Sequence, residues 1–177
     1  MTRLVVAETS AVNNATLAAA RALLVEVFEG EFTSRDWEHA LGGVHAFLWD
    51  RQELIGHASI VPRRALLSGK ARRTGHVESV GVRSDQRGRG HGSTLMDAIE
   101  EVIRQEYNLG ALGASEQAKT FYAARGWRPW RGRLSVLTAI GVESLGRGNG
   151  SVHVFTHGVP VDVTGELTCE WREGELW

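Results

Sequence analysis

A chain of 177 residues, 42% of them hydrophobic, is long enough to bury one core without metal or disulfide staples. Its formal net charge of −1 argues against a general nucleic-acid binder, whose domain is clearly basic. The one cysteine, Cys169, excludes an internal disulfide and fits a reducing compartment, with a buried, inert thiol as its expected state. No leader pattern precedes the strand-like residues 4–7, and no apolar run approaches the roughly 20 residues of a membrane span. A soluble, cytoplasmic protein without membrane or nucleic-acid partners is expected.

Residues 16–29 place Leu17, Leu24, Val27 and Phe28 on one helical face, and Gly30 ends that helix. Residues 33–41 read as a short second helix, with Thr33 and Asp36 in capping-box spacing. A meander of three strands is predicted at 44–49, 54–61 and 72–82, with turns at 50–53 and 67–71. The pairs Arg63-Arg64 and Arg72-Arg73 flank the second turn and are expected to stay in water. A glycine loop then leads to a helix at 93–107, with Leu95, Met96, Ile99, Val102 and Ile103 inward. A strand at 109–112, a helix at 115–125 and a strand at 127–131 follow. Residues 141–150 read as a long glycine-rich loop, ahead of strands at 152–155 and 166–171. His153 and His157 have helical metal-pair spacing, but on a strand they stand roughly 13 Å apart, so no metal site is expected. The alternation predicts one α/β domain over residues 1–177, with a mixed, mostly antiparallel sheet flanked by helices.

The most informative stretch is Arg87-Gly88-Arg89-Gly90-His91-Gly92, between the apolar strand 77–82 and the helix that Ser93 opens. Glycines at alternate positions leave amide N–H groups free to close on a phosphate, with the positive end of a helix behind them. A Walker loop would need a lysine before Ser93, and a Rossmann fingerprint a glycine in its place. On the loop alone, a phosphate cradle and a basic surface loop stand equal.

The spacing Arg87-x-x-Gly90-x-Gly92 resembles the pyrophosphate loop of the GCN5-related N-acetyltransferases, which hold acetyl-coenzyme A there. Downstream, Phe121-Tyr122-Ala-Ala-Arg-Gly126-Trp127 resembles that family's tyrosine helix, turn glycine and following aromatic. Further segments narrow the resemblance: Asp36-Trp-Glu-His, Leu41-Gly-Gly, Tyr107-x-Leu-Gly-Ala-Leu112, Arg125-Gly-Trp-x-Pro-Trp130 and Glu-Leu-Trp177. From about Glu29 onward the chain resembles the aminoglycoside 2′-N-acetyltransferases.

That resemblance implies acetyl transfer from acetyl-coenzyme A to a sugar amine, without a metal. It implies Glu78 as a general base acting through water, since a carboxylate of pKa about 4.3 is weak on its own. Tyr122 becomes the acid for the departing thiolate, a phenol of pKa about 10 facing a sulfur near 8.5. Backbone amides of Val80, Gly81 and Val82 are expected to hold the pantetheine arm and polarise the thioester carbonyl. Residues 87–93 would hold the pyrophosphate. Taken on spacing alone, Glu78 is an ordinary solvated strand residue and Tyr122 an aromatic packed on a helix.

On the substrate side, Glu31 keeps a family acid, and Ser79 stands where a glycine is usual. Gly113 replaces a serine that contacts substrate, and residues 145–150 replace an aspartate cluster and bring in Arg147. Fewer acids weaken attraction to a many-amine drug. The departures suit a substrate with its own carboxylate, such as kasugamycin, which Arg147 would pair; a solvated Arg147 is the equal alternative. The family also brings its C-terminus to the substrate, which makes Trp177 a further candidate, and it commonly dimerises. Two other functions stay open: the same fold acetylating a polyamine or a protein terminus, and a domain that binds coenzyme A or drug without turnover.

Overall fold

The apolar runs become ten strands and four helices in the computed structural model, which describes all residues from Met1 to Trp177. In chain order these are β1 (Thr2–Glu8), α1 (Asn14–Val27), α2 (Ser34–Ala40), β2 (Val44–Asp50), β3 (Glu53–Leu67) and β4 (Lys70–Val82). Then come α3 (His91–Glu106), β5 (Leu109–Gly113), α4 (Lys119–Ala124), β6 (Arg128–Pro129), β7 (Arg133–Thr138), β8 (Gly141–Arg147), β9 (Val152–Thr156) and β10 (Glu166–Glu170). The strands form one mixed sheet in the order β6-β9-β5-β4-β3-β10-β7-β8, with β1 and β2 continuing from β3. Two pairings are parallel, β4 with β5 and β10 with β7. The chain divides into two compact units, Met1–Val61 with Val77–Val102, and Pro62–His76 with Ile103–Trp177.

In the first unit, Ala20 and Leu23 of α1 pack with Phe47 and Leu54, and Trp37 and Trp49 close over them. Asn13 caps α1 by accepting the Thr16 N–H at 2.8 Å, and Thr33 and Asp36 form the full capping box of α2. Ile60 and Val61 approach Gly43 so closely that a Cβ there would collide with the Ile60 carbonyl. The second unit is built around Leu67, Leu109, Trp130, Leu134, Val152, Val154 and Leu167. Trp127 and Trp130 are fully buried, and the Trp130 indole N–H reaches the Arg133 carbonyl at 3.2 Å.

Several predicted elements change form. The predicted strand 54–61 runs on to Leu67, and the turn shrinks to Ser68-Gly69. Arg63 is thereby not a solvated turn residue: it shares the buried parity of Val61, Ala65 and Leu67 and is itself buried. The tyrosine helix is a 3₁₀ turn at Glu116–Ala118 followed by α4. The strand after it keeps two residues, because Pro129 has no N–H to extend a ladder. Residues 141–150 are not a long loop. Gly141–Arg147 form β8, zipped antiparallel to β7 from Thr138↔Gly141 to Arg133↔Arg147. No helix is long and apolar enough to cross a membrane.

Candidate active site

In the first unit, β4 carries Glu78 to the point where its backbone turns. Ser79 has φ 53, a left-handed conformation that non-glycine residues seldom adopt. The Glu78 carbonyl accepts the Ser59 hydroxyl at 3.3 Å, and the Ser79 carbonyl lies 3.0 Å from Nδ1 of the buried His57. Glu78, Ser79 and Val80 are all half-buried. Gly81 follows, with Leu24 and Val27 of α1 against it at 3.1 and 3.2 Å from a notional Cβ. A Cβ there would push the Leu24 and Val27 side chains of α1 back by a few tenths of an ångström.

The glycine loop is shaped as its sequence implies. Gly88 and Gly90 have φ 73 and 81, and a Cβ on either would meet nothing within 4 Å. The loop surface is therefore open backbone. Arg87 folds back to donate from Nε to the Val82 carbonyl at 3.1 Å, which ties the loop to the end of β4. Thr94 N–H donates to Gly90 O at 3.0 Å, so His91, Gly92 and Ser93 form the first turn of α3, where amides have no intrahelical acceptor. Open glycine backbone, unsatisfied amides, a helix N-terminus and two arginines fit a pyrophosphate. Residues 80–82 and 87–93 thus lie on one strand–loop–helix segment. Glu31, in the same unit, is exposed between α1 and α2.

In the second unit, Tyr122 sits on α4 and is 7% exposed. Trp127 meets its ring edge-on at 6.1 Å, and the buried His153 lies at 6.4 Å. Burial pushes its phenol up to about 12, against a smaller downward pull from Arg125. The hydroxyl therefore stays protonated at neutral pH. Gly113 and Trp177 are brought together: a Cβ on Gly113 would lie 2.9 Å from the Trp177 backbone oxygen. The absence of a side chain on Gly113 thus leaves room for the C-terminal segment. The Trp177 ring leans on His76 at 6.2 Å, and its indole Nε1 is buried without a hydrogen-bond partner.

Arg63, absent from the sequence-derived candidates, anchors this segment. Its guanidinium donates to the Leu176 carbonyl and, at 2.7 Å, to the Glu170 carbonyl. Arg147 is exposed on the edge strand β8, directly across from the exposed Arg133. No group of three or more His, Cys, Asp or Glu side chains is placed to hold a metal ion.

The sequence profile of the Acetyltransferase (GNAT) family matches residues 15–127. The chain is 46% identical over 173 residues to the aminoglycoside 2′-N-acetyltransferase of Mycolicibacterium fortuitum, spanning 96% of this chain and 89% of that one. Among solved structures, an acyl-CoA N-acyltransferase from Pseudomonas aeruginosa superposes with a TM-score of 0.63 at 14% identity, over 87% of this chain and 99% of that one. Escherichia coli ElaA gives 0.61 at 22% identity, over 75% and 91%. At these identities both show the fold alone, and it is the acetyltransferase fold that the loop and tyrosine helix implied. The chain is an acetyltransferase of the GNAT family and belongs, within it, with the aminoglycoside 2′-N-acetyltransferases.

Proposed function

We propose that the protein transfers the acetyl group of acetyl-coenzyme A to the 2′-amino group of an aminoglycoside. The observation that carries this reading is the 46% identity, over nearly the whole of both chains, to a protein named for that reaction. Glu78, through a water, takes the proton from the amine as its nitrogen forms the new C–N bond. The C–S bond breaks as the Tyr122 hydroxyl gives its proton to the departing sulfur, and water then returns a proton to the phenolate. Burial supports this role for Tyr122: a phenol held at about 12 remains a hydrogen-bond donor, and the same dry surroundings raise the proton affinity of a thiolate. The backbone of Val80–Val82 holds the pantetheine arm, and residues 87–93 hold the pyrophosphate. Glu31, Ser79, Gly113 and Trp177 belong to the aminoglycoside side.

Kasugamycin is the favoured narrow substrate, with its carboxylate paired to Arg147. Support comes from the cross-strand row Glu166, Arg133, Arg147: Arg133 has an acid on its other side in register, whereas Arg147, on the edge strand, is opposed only by Arg133. Like charges directly opposed on a sheet cost stability, and an anion relieves that cost.

A thiol-release assay with acetyl-coenzyme A, offering kasugamycin, gentamicin and tobramycin in parallel, tests the proposal. Turnover of kasugamycin alone, lost in Arg147→Glu, is the expected result. Turnover of gentamicin and tobramycin would retire the role of Arg147 and keep the reaction. No turnover of any of the three would overturn the acceptor. Glu78→Gln and Tyr122→Phe are each expected to lose ~10²-fold or more in kcat while still binding coenzyme A.

A further inference from the structure

We propose that His57, backed by His45, is a positioning residue for Glu78: a one-way hydrogen-bond chain through both imidazoles fixes the backbone on which Glu78 stands. The inference rests on the assignment of Glu78 as the base.

The direction of the chain follows from its fixed end. The Ser79 carbonyl can only accept, so His57 Nδ1, 3.0 Å away, carries the proton. Both imidazoles are neutral, because burial pushes His57 down to about 3 and His45 to about 4. Neutral His57 with its proton on Nδ1 has Nε2 free to accept. His45 Nδ1, 2.9 Å from it, is then the donor. His45 Nε2 must in turn accept, and the Thr9 hydroxyl at 2.8 Å supplies the proton. Thr9 Oγ1 itself accepts the Gly42 N–H at 3.0 Å, and its hydrogen has two acceptors in reach, His45 Nε2 and, at 3.1 Å, the Gly43 carbonyl. The Gly43 carbonyl already accepts the Thr9 N–H at 2.8 Å, and the direction set at Ser79 assigns the hydrogen to the nearer His45. In this arrangement Thr9 donates to His45, His45 to His57 and His57 to the Ser79 carbonyl. Trp37 and Phe47 stand against both imidazoles, with ring centroids 5.4 to 6.4 Å away, and close the pair off from water.

What the chain holds is the left-handed residue. Successive side chains of a strand point to opposite faces, and a residue bent out of the extended region resets that alternation for everything after it. Ser79 is that residue, with φ 53. Were it to relax to an extended conformation, either Glu78 or the Val80–Val82 backbone would turn to the wrong face. Ser59 and His57 of β3 grip the carbonyls on both sides of the Ser79 Cα and prevent it. A serine pays the left-handed strain that glycine would not, so the grip matters more in this chain than where glycine occupies the position.

Two measurements test the proposal. Imidazole nitrogen NMR of the intact protein at pH 7 is expected to show both His57 and His45 as Nδ1–H tautomers; an Nε2–H tautomer at His57 overturns the chain whatever the substrate. In kinetics, His57→Leu is expected to lower kcat by ~10²-fold, the scale of a misplaced catalytic group. His57→Asn, whose amide nitrogen takes the place of Nδ1, should recover most of the loss. In a Glu78→Gln background, His57→Leu should cost nothing further, since residues acting as one unit do not add. Losses that multiply, or a folded His57→Leu with parental kcat, refute positioning. A Glu78→Gln variant with parental kcat would refute the base assignment and leave the tautomer result standing.

Discussion

Replacing Arg63 by methionine keeps the length and apolar stem of the side chain and removes its charge. The guanidinium makes two hydrogen bonds to backbone carbonyls, Glu170 at 2.7 Å and Leu176. A hydrogen bond involving a charged group is worth about 1.5–3 kcal/mol when deleted from a buried site. Leu176 lies in a segment that can turn its carbonyl to water, so the lower end of that range applies to it. The two together come to about 3–4.5 kcal/mol, and for a chain of 150–250 residues that is roughly 6–18 °C in Tm. Differential scanning fluorimetry reads the Tm. Cys169, 2% exposed on the strand beside Arg63, is the chain's one thiol, and its reaction with a disulfide reagent counts openings of the same region. Arg63→Met should react faster as well as melt lower. A Tm within about 2 °C of the parent, with unchanged thiol reactivity, would mean that the C-terminal segment is held by something other than Arg63.

Gly113→Ala should push Trp177 off its place, since a Cβ 2.9 Å from a backbone oxygen forces one of them to move; faster exchange of the buried Trp177 indole N–H checks it. Thr33→Ala removes the capping box of α2 and should cost about 1 kcal/mol, read as a Tm lower by roughly 2–4 °C. Stability should fall on acidification through the two buried histidines. Their folded pKa values lie below the unfolded 6.5, so the unfolded chain binds the extra protons as pH drops below 6.5. The loss begins there and continues towards pH 4 for His45 and pH 3 for His57, amounting to about 3–4 kcal/mol between pH 7 and 5. Urea melts at the two pH values measure it, and a His45→Gln, His57→Asn double variant should flatten the dependence.

Much of this was legible in the sequence where a local rule decides the outcome. The capping box needed only Thr33 and Asp36, the glycine loop only its own backbone, and α3 only the spacing of Leu95, Met96, Ile99 and Ile103. What escaped depends on partners far along the chain. Arg63 has the buried parity of its strand, a signal present in Val61, Ala65 and Leu67, but its acceptors lie 107 and 113 residues away. β8, with two glycines and mostly exposed side chains, has no inward face to announce a strand; it exists because β7 offers it a backbone to pair with. His45 and His57 give no signal in the sequence, because a hydrogen bond between strands leaves no periodicity.

The position of β10 has a consequence for how the protein is made. This last strand lies between β3 and β7, antiparallel to one and parallel to the other. As a ribosome delivers the chain from its N-terminus, β7 and β8 can zip into a hairpin early, yet they have nothing to dock on until residues 166–170 emerge. Until then Leu67 and Leu134, buried in the finished core, lack Leu167 between them. Nascent chains stalled before residue 166 should therefore be sticky and chaperone-bound, and release of the final dozen residues should free them.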